Sequence, residues 1–352
     1  MTSAMFKGII LCSTLATALV SGCGSDDDDA DTNNLLDGMI AGEDAVSGGT
    51  DGGGTDGEDT VGESAVDGLV SIESVRPTSE AIGALQTALE NIEAITALPL
   101  IDHQLNAMGI GETLRPTSVQ LFGNPALGTP LMQVNQLAGL DLPQKILAWE
   151  NEDGNTQLAY NSVDYLQQRH GITGSEDADI ALQTISGALA NLSFNASGNI
   201  EDGSTDSDAS PTVAVSVGQG IIMVTSTLDM DTTYSTLVTS IQNAEPLNLF
   251  AEVDHAANAA GIEQPLNPTR LVIFGNPSLG TPLMQAEQTI GIDLPQKMLV
   301  FENAEGVVTI AYNDPEYLAE RHGITGQEDR LATISGALAG LASAAAAAAP
   351  EQ

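Results

Sequence analysis

The chain has 352 residues, 48 of them acidic and 9 basic, for a formal charge of −39 with 42% hydrophobic residues. Such acidity makes nucleic acid and anionic membrane surfaces poor partners and is ordinarily a solubility feature. Both cysteines, Cys12 and Cys23, lie in the first 23 residues, so the rest has no disulfide, thiolate nucleophile or cysteine metal ligand.

Residues 1–22 pair one positive charge, Lys7, with an apolar run from Gly8 to Val20 and end in small residues. The run is too short for a transmembrane span and reads as a secretory signal. "VSGC" fits a lipobox, which predicts cleavage before Cys23 and acylation of that thiol. An ordinary small-residue cleavage site is the plainer alternative. A lipid anchor through Cys23 would place the protein on the periplasmic side of a bacterial envelope. Gly24 in place of Asp points, by analogy with known sorting, to the outer membrane.

Residues 23–68 follow as an acidic, Gly- and Asp-rich tether, with 14 acidic and no basic residues from Gly24 to Gly68. Too little apolar surface is present to offset ordering entropy, so a disordered spacer is expected. Residues 193–212 read as a linker of the same kind, and residues 343–352 as an alanine-rich tail or frayed helix end.

Between them lie two copies of one unit, residues 69–192 and 213–342, related without gaps by a shift of 152 until a three-residue deletion near Thr184 and Thr333. Each copy is long enough for its own core. "LVSIESV" and "IIMVTST" predict first strands. Ile82, Leu85, Leu89 and Ile92, and Tyr234, Leu237 and Ile241, recur at helical spacing. "ALPLI" and "NLFAEV" read as strands feeding short helices, capped by Asp102 or Asp254 and ended by Gly109 or Gly261. "SVQLF" and "RLVIF" are further strands. "QKILAWE" and "TQLAYN" flank an Asp-Gly hairpin turn, repeated around Gly306. "VDYLQQRHGI" and a second helix capped by Thr173 or Ser175 close the unit. The mixture predicts an α+β fold: two tandem copies of a two-layer domain with a mixed or antiparallel sheet and helices on one face.

The least diverged segment is "FGNPALGTPLMQ", Phe122 to Gln133, which returns as "FGNPSLGTPLMQ" with 11 of 12 positions identical. Gly123 and Gly128 have phosphate-loop spacing, but Thr129 stands where that motif needs lysine and Pro130 lacks a backbone donor. The geometric reading accounts for every letter: a turn at Asn124-Pro125, a cap at Thr129, Pro130 at the first helical position, and Leu131 and Met132 in a core. By contrast, Thr78 to Ala97 keeps only 4 of 20 residues. A local constraint, packing or a ligand, therefore acts on the loop.

Polar residues shared by both copies form the candidate ligand-binding set: Asp102, His103, Asn124, Gln133, Lys145 and His170, with Asp254, His255, Asn276, Gln285, Lys297 and His322 as counterparts. Glu150, Tyr160 and Arg169 are also shared. No H-E-x-x-H or H-x-H spacing supports a metal, and no cofactor or catalytic residue is expected. Asp102 is a natural helix cap, and Arg169 with His170 suits the last turn of a helix. Lys145 and Lys297 read more readily as solvated strand ends than as Schiff-base lysines. Trp149, matched by Phe301, alternates with Leu147 and Lys145 along a strand and is expected in the core.

The segments "IDHQLNAMGI", "FGNPALGTPLMQ", "LDLPQKILAWE" and "AYNSVDYLQQRHGI" resemble the domain of unknown function 302 family, in two copies. That resemblance implies a compact α+β domain with a tendency to self-associate, and no established reaction or substrate. The second copy is the closer match, keeping Arg270 where the first has Ser118; if Arg270 contacts a ligand, the first copy would bind it poorly. The favoured expectation is a ligand- or partner-binding module, for a small molecule or through domain pairing or homo-oligomerisation. The alternatives are an enzyme using Asp102 with His103 or His170 as acid and base, and a purely structural module.

Overall fold

The computed structural model describes residues 66–200 and 213–347. The leader with Cys23, the tether up to residue 65, the linker from residue 201 to 212 and the last five residues lie outside the described residues. Both repeats belong to one compact unit, Asp59–Gln352.

In the first repeat, β1 (Leu69–Ser74) leads through Pro77 into α1 (Thr78–Glu90), and short strands β2 (Thr96–Ala97) and β3 (Ile101–Asp102) precede α2 (His103–Gly109). Then come β4 (Thr117–Gly123), α3 (Pro125–Val134), a 3-10 turn at Gln136–Leu140, and the hairpin β5 (Gln144–Glu150) and β6 (Thr156–Asn161). α4 (Val163–His170) and the long α5 (Glu176–Ser197) end the repeat. The second repeat runs β7 (Ile221–Thr225), α6 (Met230–Asn243), β8 (Asn248–Asp254), α7 (His255–Ala260), β9 (Thr269–Gly275) and α8 (Pro277–Ala286). A 3-10 turn at Gln288–Ile292, β10 (Gln296–Glu302), β11 (Val308–Asn313), α9 (Pro315–Arg321) and α10 (Glu328–Ala346) complete it.

Each repeat is an antiparallel sheet, β1-β6-β5-β4-β2 with β3 also on β4, and β7-β11-β10-β9-β8. Strand alternation divides the residues between two faces. On β5, Ile146 and Ala148 pack under α1 and α5, whereas Leu147 and Trp149 face away from those helices. On β10, Met298 and Val300 join the helix side, and Leu299 points to the other. These far faces meet: Val119, Leu121, Leu147 and Trp149 of the first sheet share one buried cluster with Leu271, Ile273, Ile292 and Leu299 of the second. The molecule is therefore four layers, helices, sheet, sheet, helices, and its third core exists only because both copies are present.

Several local details depart from the sequence reading. The repeated loop is not a turn followed by a helix at Pro130, because α3 begins at Pro125 with Asn124 Oδ1 accepting from the Ala126 N–H. Asn followed by Pro at the first helical position is the stronger start signal, so Gly128, Thr129 and Pro130 lie inside the helix. "ALPLI" is not one strand, since Pro99 interrupts pairing between β2 and β3. Gly109 belongs to α2, and Gly261 ends α7 with ordinary right-handed φ, −63°. The linker does not begin at Ser193: α5 continues to Ser197, and Ser193 and Ser197 are buried. The alanine tail starts as the packed end of α10, where Ala346 O accepts from the Thr227 N–H at 2.9 Å.

Candidate functional site

The two repeats contact each other reciprocally, residue for residue. His103 Nε2 donates to Gly291 O at 3.2 Å, and His255 Nε2 donates to Gly139 O at 3.3 Å. Gln133 Nε2 reaches Pro265 O at 2.7 Å, and Gln285 Nε2 reaches Thr113 O at 2.8 Å. Gln136 donates to Thr269 Oγ1 at 2.8 Å while Gln288 donates to Thr117 Oγ1 at 2.7 Å. Each contact has its mate 152 positions on, which is the signature of a two-fold arrangement within one chain. The 3-10 turns make it possible: a Cβ on Gly139 would meet Leu299 Cδ1 at 3.0 Å, and one on Gly291 would meet Leu147 Cδ1 at 3.0 Å.

At the centre of this contact lies a buried ionic cluster. Arg169 Nη1 donates to Asp141 Oδ2 at 2.8 Å and Nη2 crosses to Asn313 Oδ1 at 2.9 Å. Arg321 repeats both bonds, to Asp293 Oδ2 at 2.8 Å and across to Asn161 Oδ1 at 2.8 Å. His170 Nε2 and His322 Nε2 complete the carboxylates at 2.8 and 2.9 Å. The Tyr165 and Tyr317 hydroxyls touch at 3.0 Å, and Arg321 lies over the Tyr165 ring. Lys145 Nζ sits between the two carboxylates, 3.9 Å from Asp141 and 4.0 Å from Asp293.

Four of the nine basic side chains of this very acidic protein are therefore buried here, with two carboxylates. Although burial opposes ionisation, the arginine, histidine and lysine neighbours hold Asp141 and Asp293 well below the usual carboxylate range. Burial, reinforced by Lys145, brings Lys297 down to about 7. Lys145 and Lys297 are thus not solvated strand ends. They occupy the inward positions of β5 and β10, in alternation with Leu147 and Leu299, which places them at the sheet-to-sheet contact.

Two clefts flank the cluster, one per repeat. The first is a cavity of about 140 Å³ walled by Phe122, Leu127, Met132, Leu142 and Pro143 of the repeated loop and its neighbours, by Ile185 and Leu189 of α5, and by His255 and Asn258 from the other repeat. The second, about 70 Å³, is its counterpart around Phe274, Leu279, Met284, Leu294 and Leu338, closed by His103 and Asn106. Burial lowers both histidines to about 4, so they are neutral at physiological pH. No lining residue of either cleft carries a charge at neutral pH.

The expected site residues thus fall into three places. His103, His255, Asn124 and Asn276 line the clefts, Gln133 and Gln285 bridge the repeats beside them, and Lys145, Lys297, His170 and His322 belong to the ionic cluster. Asp102 and Asp254 are helix caps, accepting from the Leu105 and Ala257 N–H groups. Arg270 is held by Asp231 and Asp254 at 2.9 Å each. The carboxylate that meets His170 is Asp141 and not Asp102, and among the described residues no group of three or more metal-ligating side chains converges. Sequence reasoning passed over Asp141 and Asn161 with their counterparts, although both lie in stretches identical between copies, "DLPQK" and "AYN".

A tandem α+β pair whose copies bury their most repeated residues against each other is the class that fold and site define. The chain belongs to the family described as "Domain of unknown function DUF302", matched at residues 70–192 and 222–341. Among curated proteins it is 39% identical over 114 residues to "Fluoride-specific ion channel FluC 1" of Brucella suis biovar 1, covering 32% of this chain and 44% of that one. A Brucella abortus biovar 1 protein of the same name matches at 39% over 114 residues, covering 32% of this chain and 42% of its own length. The chain spans less than half the length of these relatives. A solved DUF302 protein from Bacillus stearothermophilus aligns with TM-score 0.33 and 17% identity, over 36% of this chain and 98% of that one.

Proposed function

We propose that the protein is an envelope-tethered binding module whose two repeats form a pair of corresponding clefts, of different size, for small, largely apolar molecules. The observation that carries this reading is the composition of the clefts: each takes its wall from the least diverged loop of one repeat and its closure from a short helix of the other. Packing within a single repeat would not need both. Acylation at Cys23 would hold the module at the membrane while residues 24–65 span the distance to it. The names of the Brucella relatives describe proteins of which the matched stretch is less than half, and clefts without a charged lining residue suit a neutral ligand better than an ion. Among the described residues, no helix is long and apolar enough to cross a membrane.

Native mass spectrometry of the full chain purified from an envelope fraction tests the binding reading. A mass excess lost in the double variant Ala188→Leu, Ala337→Leu, which narrows both clefts from α5 and α10, is expected. A bare mass, with no uptake of an apolar fluorophore, would sink it. For the anchor, Cys23→Ala is expected to move the protein from the membrane to the soluble envelope fraction; unchanged fractionation would remove Cys23 from the account.

A further inference from the structure

Besides the histidines and asparagines at their edges, the clefts have walls with buried polar atoms that lack a protein partner, and these occur at equivalent positions. Thr129 and Gln144 are lining residues of the first cleft and Thr281 and Gln296 of the second, and Thr129 Oγ1, Gln144 Nε2, Thr281 Oγ1 and Gln296 Oε1 are buried just behind the cleft surface without a partner. All four residues are at least nine-tenths buried. A helical threonine can satisfy its hydroxyl on the carbonyl four residues back. Thr87, Thr184 and Thr333 do so here, at 2.8 to 2.9 Å, whereas Thr129 and Thr281 do not. An unpaired buried polar atom is costly, and the same pair has been kept twice, in "GTPLMQ" and "LPQK".

We propose that each cleft recognises an uncharged molecule with an apolar body and one hydroxyl group, of the phenol or short-chain alcohol class, through Thr129 with Gln144 and Thr281 with Gln296. This rests on the cleft-binding reading above and names its ligand. The class follows by elimination. A carboxylate or ammonium would enter a site with no countercharge. A bare hydrocarbon would leave both polar atoms unpaired. A hydroxyl both donates and accepts, and so suits a cleft whose walls hold a threonine hydroxyl and an amide whose two ends are interchangeable by rotation. Size sets the body: a cavity near 150 Å³ lined by aliphatic and aromatic side chains admits about one benzene ring. The first cleft, about 140 Å³, fits a phenol, and the second, about 70 Å³, a short alcohol. The smaller cleft has the bulkier Phe250 where the larger has Leu98.

The test is calorimetric titration of the full chain with phenol, benzene and benzoate, together with thermal unfolding without ligand. Phenol is expected to bind about tenfold more tightly than benzene, and benzoate not to bind. In Thr129→Val, phenol affinity falls to the benzene level, while the ligand-free protein melts no lower than the parent, because an unpaired hydroxyl has been exchanged for a methyl. Those opposite directions separate recognition from structure. Equal binding of phenol and benzene overturns the hydroxyl assignment while leaving the clefts as binding sites, and so does a lower melting temperature in Thr129→Val. Absence of binding by phenol and benzene alike, with the Ala188→Leu variant indistinguishable from the parent, overturns the cleft reading as well.

Discussion

The two repeats differ most along their outer helices and edge strands and least in the buried ionic cluster where they meet. The first has an edge strand broken at Pro99, whereas the second has Ala251 there and a single β8 that passes the position with a bulge between Leu249 and Ala251. On its exposed side the second has built an ion-pair group absent from the first: Arg270 holds Asp231 and Asp254 and lies over Tyr234, whose hydroxyl donates to Glu252. The corresponding first-repeat residues are Ser118, Ile82 and Leu100. Across the sheet-to-sheet contact, by contrast, Asp141, Lys145, Asn161, Tyr165, Arg169 and His170 are all duplicated without change. An outward residue answers to its own repeat alone. A residue of the ionic cluster must bond within its own repeat and also to the copy that meets it, so it is constrained twice, whereas the apolar residues around it exchange one hydrocarbon shape for another, as at Val119 and Leu271.

The largest effect that tests this double constraint comes from acid. His103 and His255, each the closure of the other repeat's cleft, have pKa values lowered to about 4 by burial. Unfolded, they titrate near 6.5, so between about 6.5 and 4 the unfolded chain binds more protons and stability falls as pH falls. At about 1.4 kcal/mol per pKa unit, each histidine accounts for roughly 3 kcal/mol over that window. Urea unfolding from pH 7 to 4 should show this loss, and His103→Gln and His255→Gln should remove equal shares of it, with a remainder from His322, whose charging burial also opposes. If one variant removes nearly all of it, the two closures are not equivalent. Lys297 acts in the same direction at higher pH. With its pKa brought down to about 7, the folded chain sheds its proton before the unfolded chain does, so stability rises from about pH 7 toward 10. Lys297→Met should abolish that rise.

Next in size are the carboxylates of the cluster. Asp141→Asn leaves Arg169 and His170 without their anion, and Asp293→Asn does the same to Arg321 and His322. Removing one partner of a buried pair costs about 3–5 kcal/mol. Because Lys145 lies 3.9 and 4.0 Å from the two carboxylates, the double variant should depart from the sum of the singles. Strict additivity in urea midpoints would mean two independent pairs and not one cluster.

Much of the fold was legible. Strand periodicity, the Asp-Gly hairpin and the Asp102 and Ser175 caps are local signals, and the structure keeps each of them. What could not be read was which strand face meets what. "QKILAWE" alternates on both sides, and nothing local says that the Lys145 face packs against a second sheet instead of water. The same gap hid Asp141, which by itself looks like another acidic loop residue in an acidic protein. Within the loop two start signals competed, Asn124-Pro125 and Thr129-Pro130, and choosing the later one concealed that Thr129 is a helical residue with an unused hydroxyl.

Smaller effects should follow from the glycines of the two 3-10 turns, and they need not be equal. A Cβ on Gly139 would crowd three atoms, Leu299 Cδ1 at 3.0 Å, Met132 Sδ at 3.2 Å and His255 Cδ2 at 3.3 Å. One on Gly291 would crowd Leu147 Cδ1 at 3.0 Å, with its next neighbours at 3.4 and 3.5 Å. Overpacking costs about 1–3 kcal/mol, so Gly139→Ala should lie toward the upper end of that range and Gly291→Ala toward the lower. Equal losses in thermal unfolding would show that the interface relaxes equally on both sides.

The smallest effect isolates a difference buried within the duplicated cluster itself. His322 Nδ1 lies 3.0 Å from Thr289 Oγ1, but the first repeat has Leu137 at that position, and His170 Nδ1 is left without a hydrogen-bond partner. Thr289→Val keeps the side chain's shape and removes only the hydroxyl, making the second repeat resemble the first at this atom. The hydroxyl also donates to Glu287 Oε1 at 3.0 Å, so two contacts are lost and the expected loss is about 1–2 kcal/mol. The comparison is sharpened by repeating the measurement at pH 5. His322 is disfavoured from charging chiefly by burial, so the hydroxyl should matter equally at pH 5 and pH 7. A loss that grows on acidification would mean that Thr289 holds the protonated ring of His322.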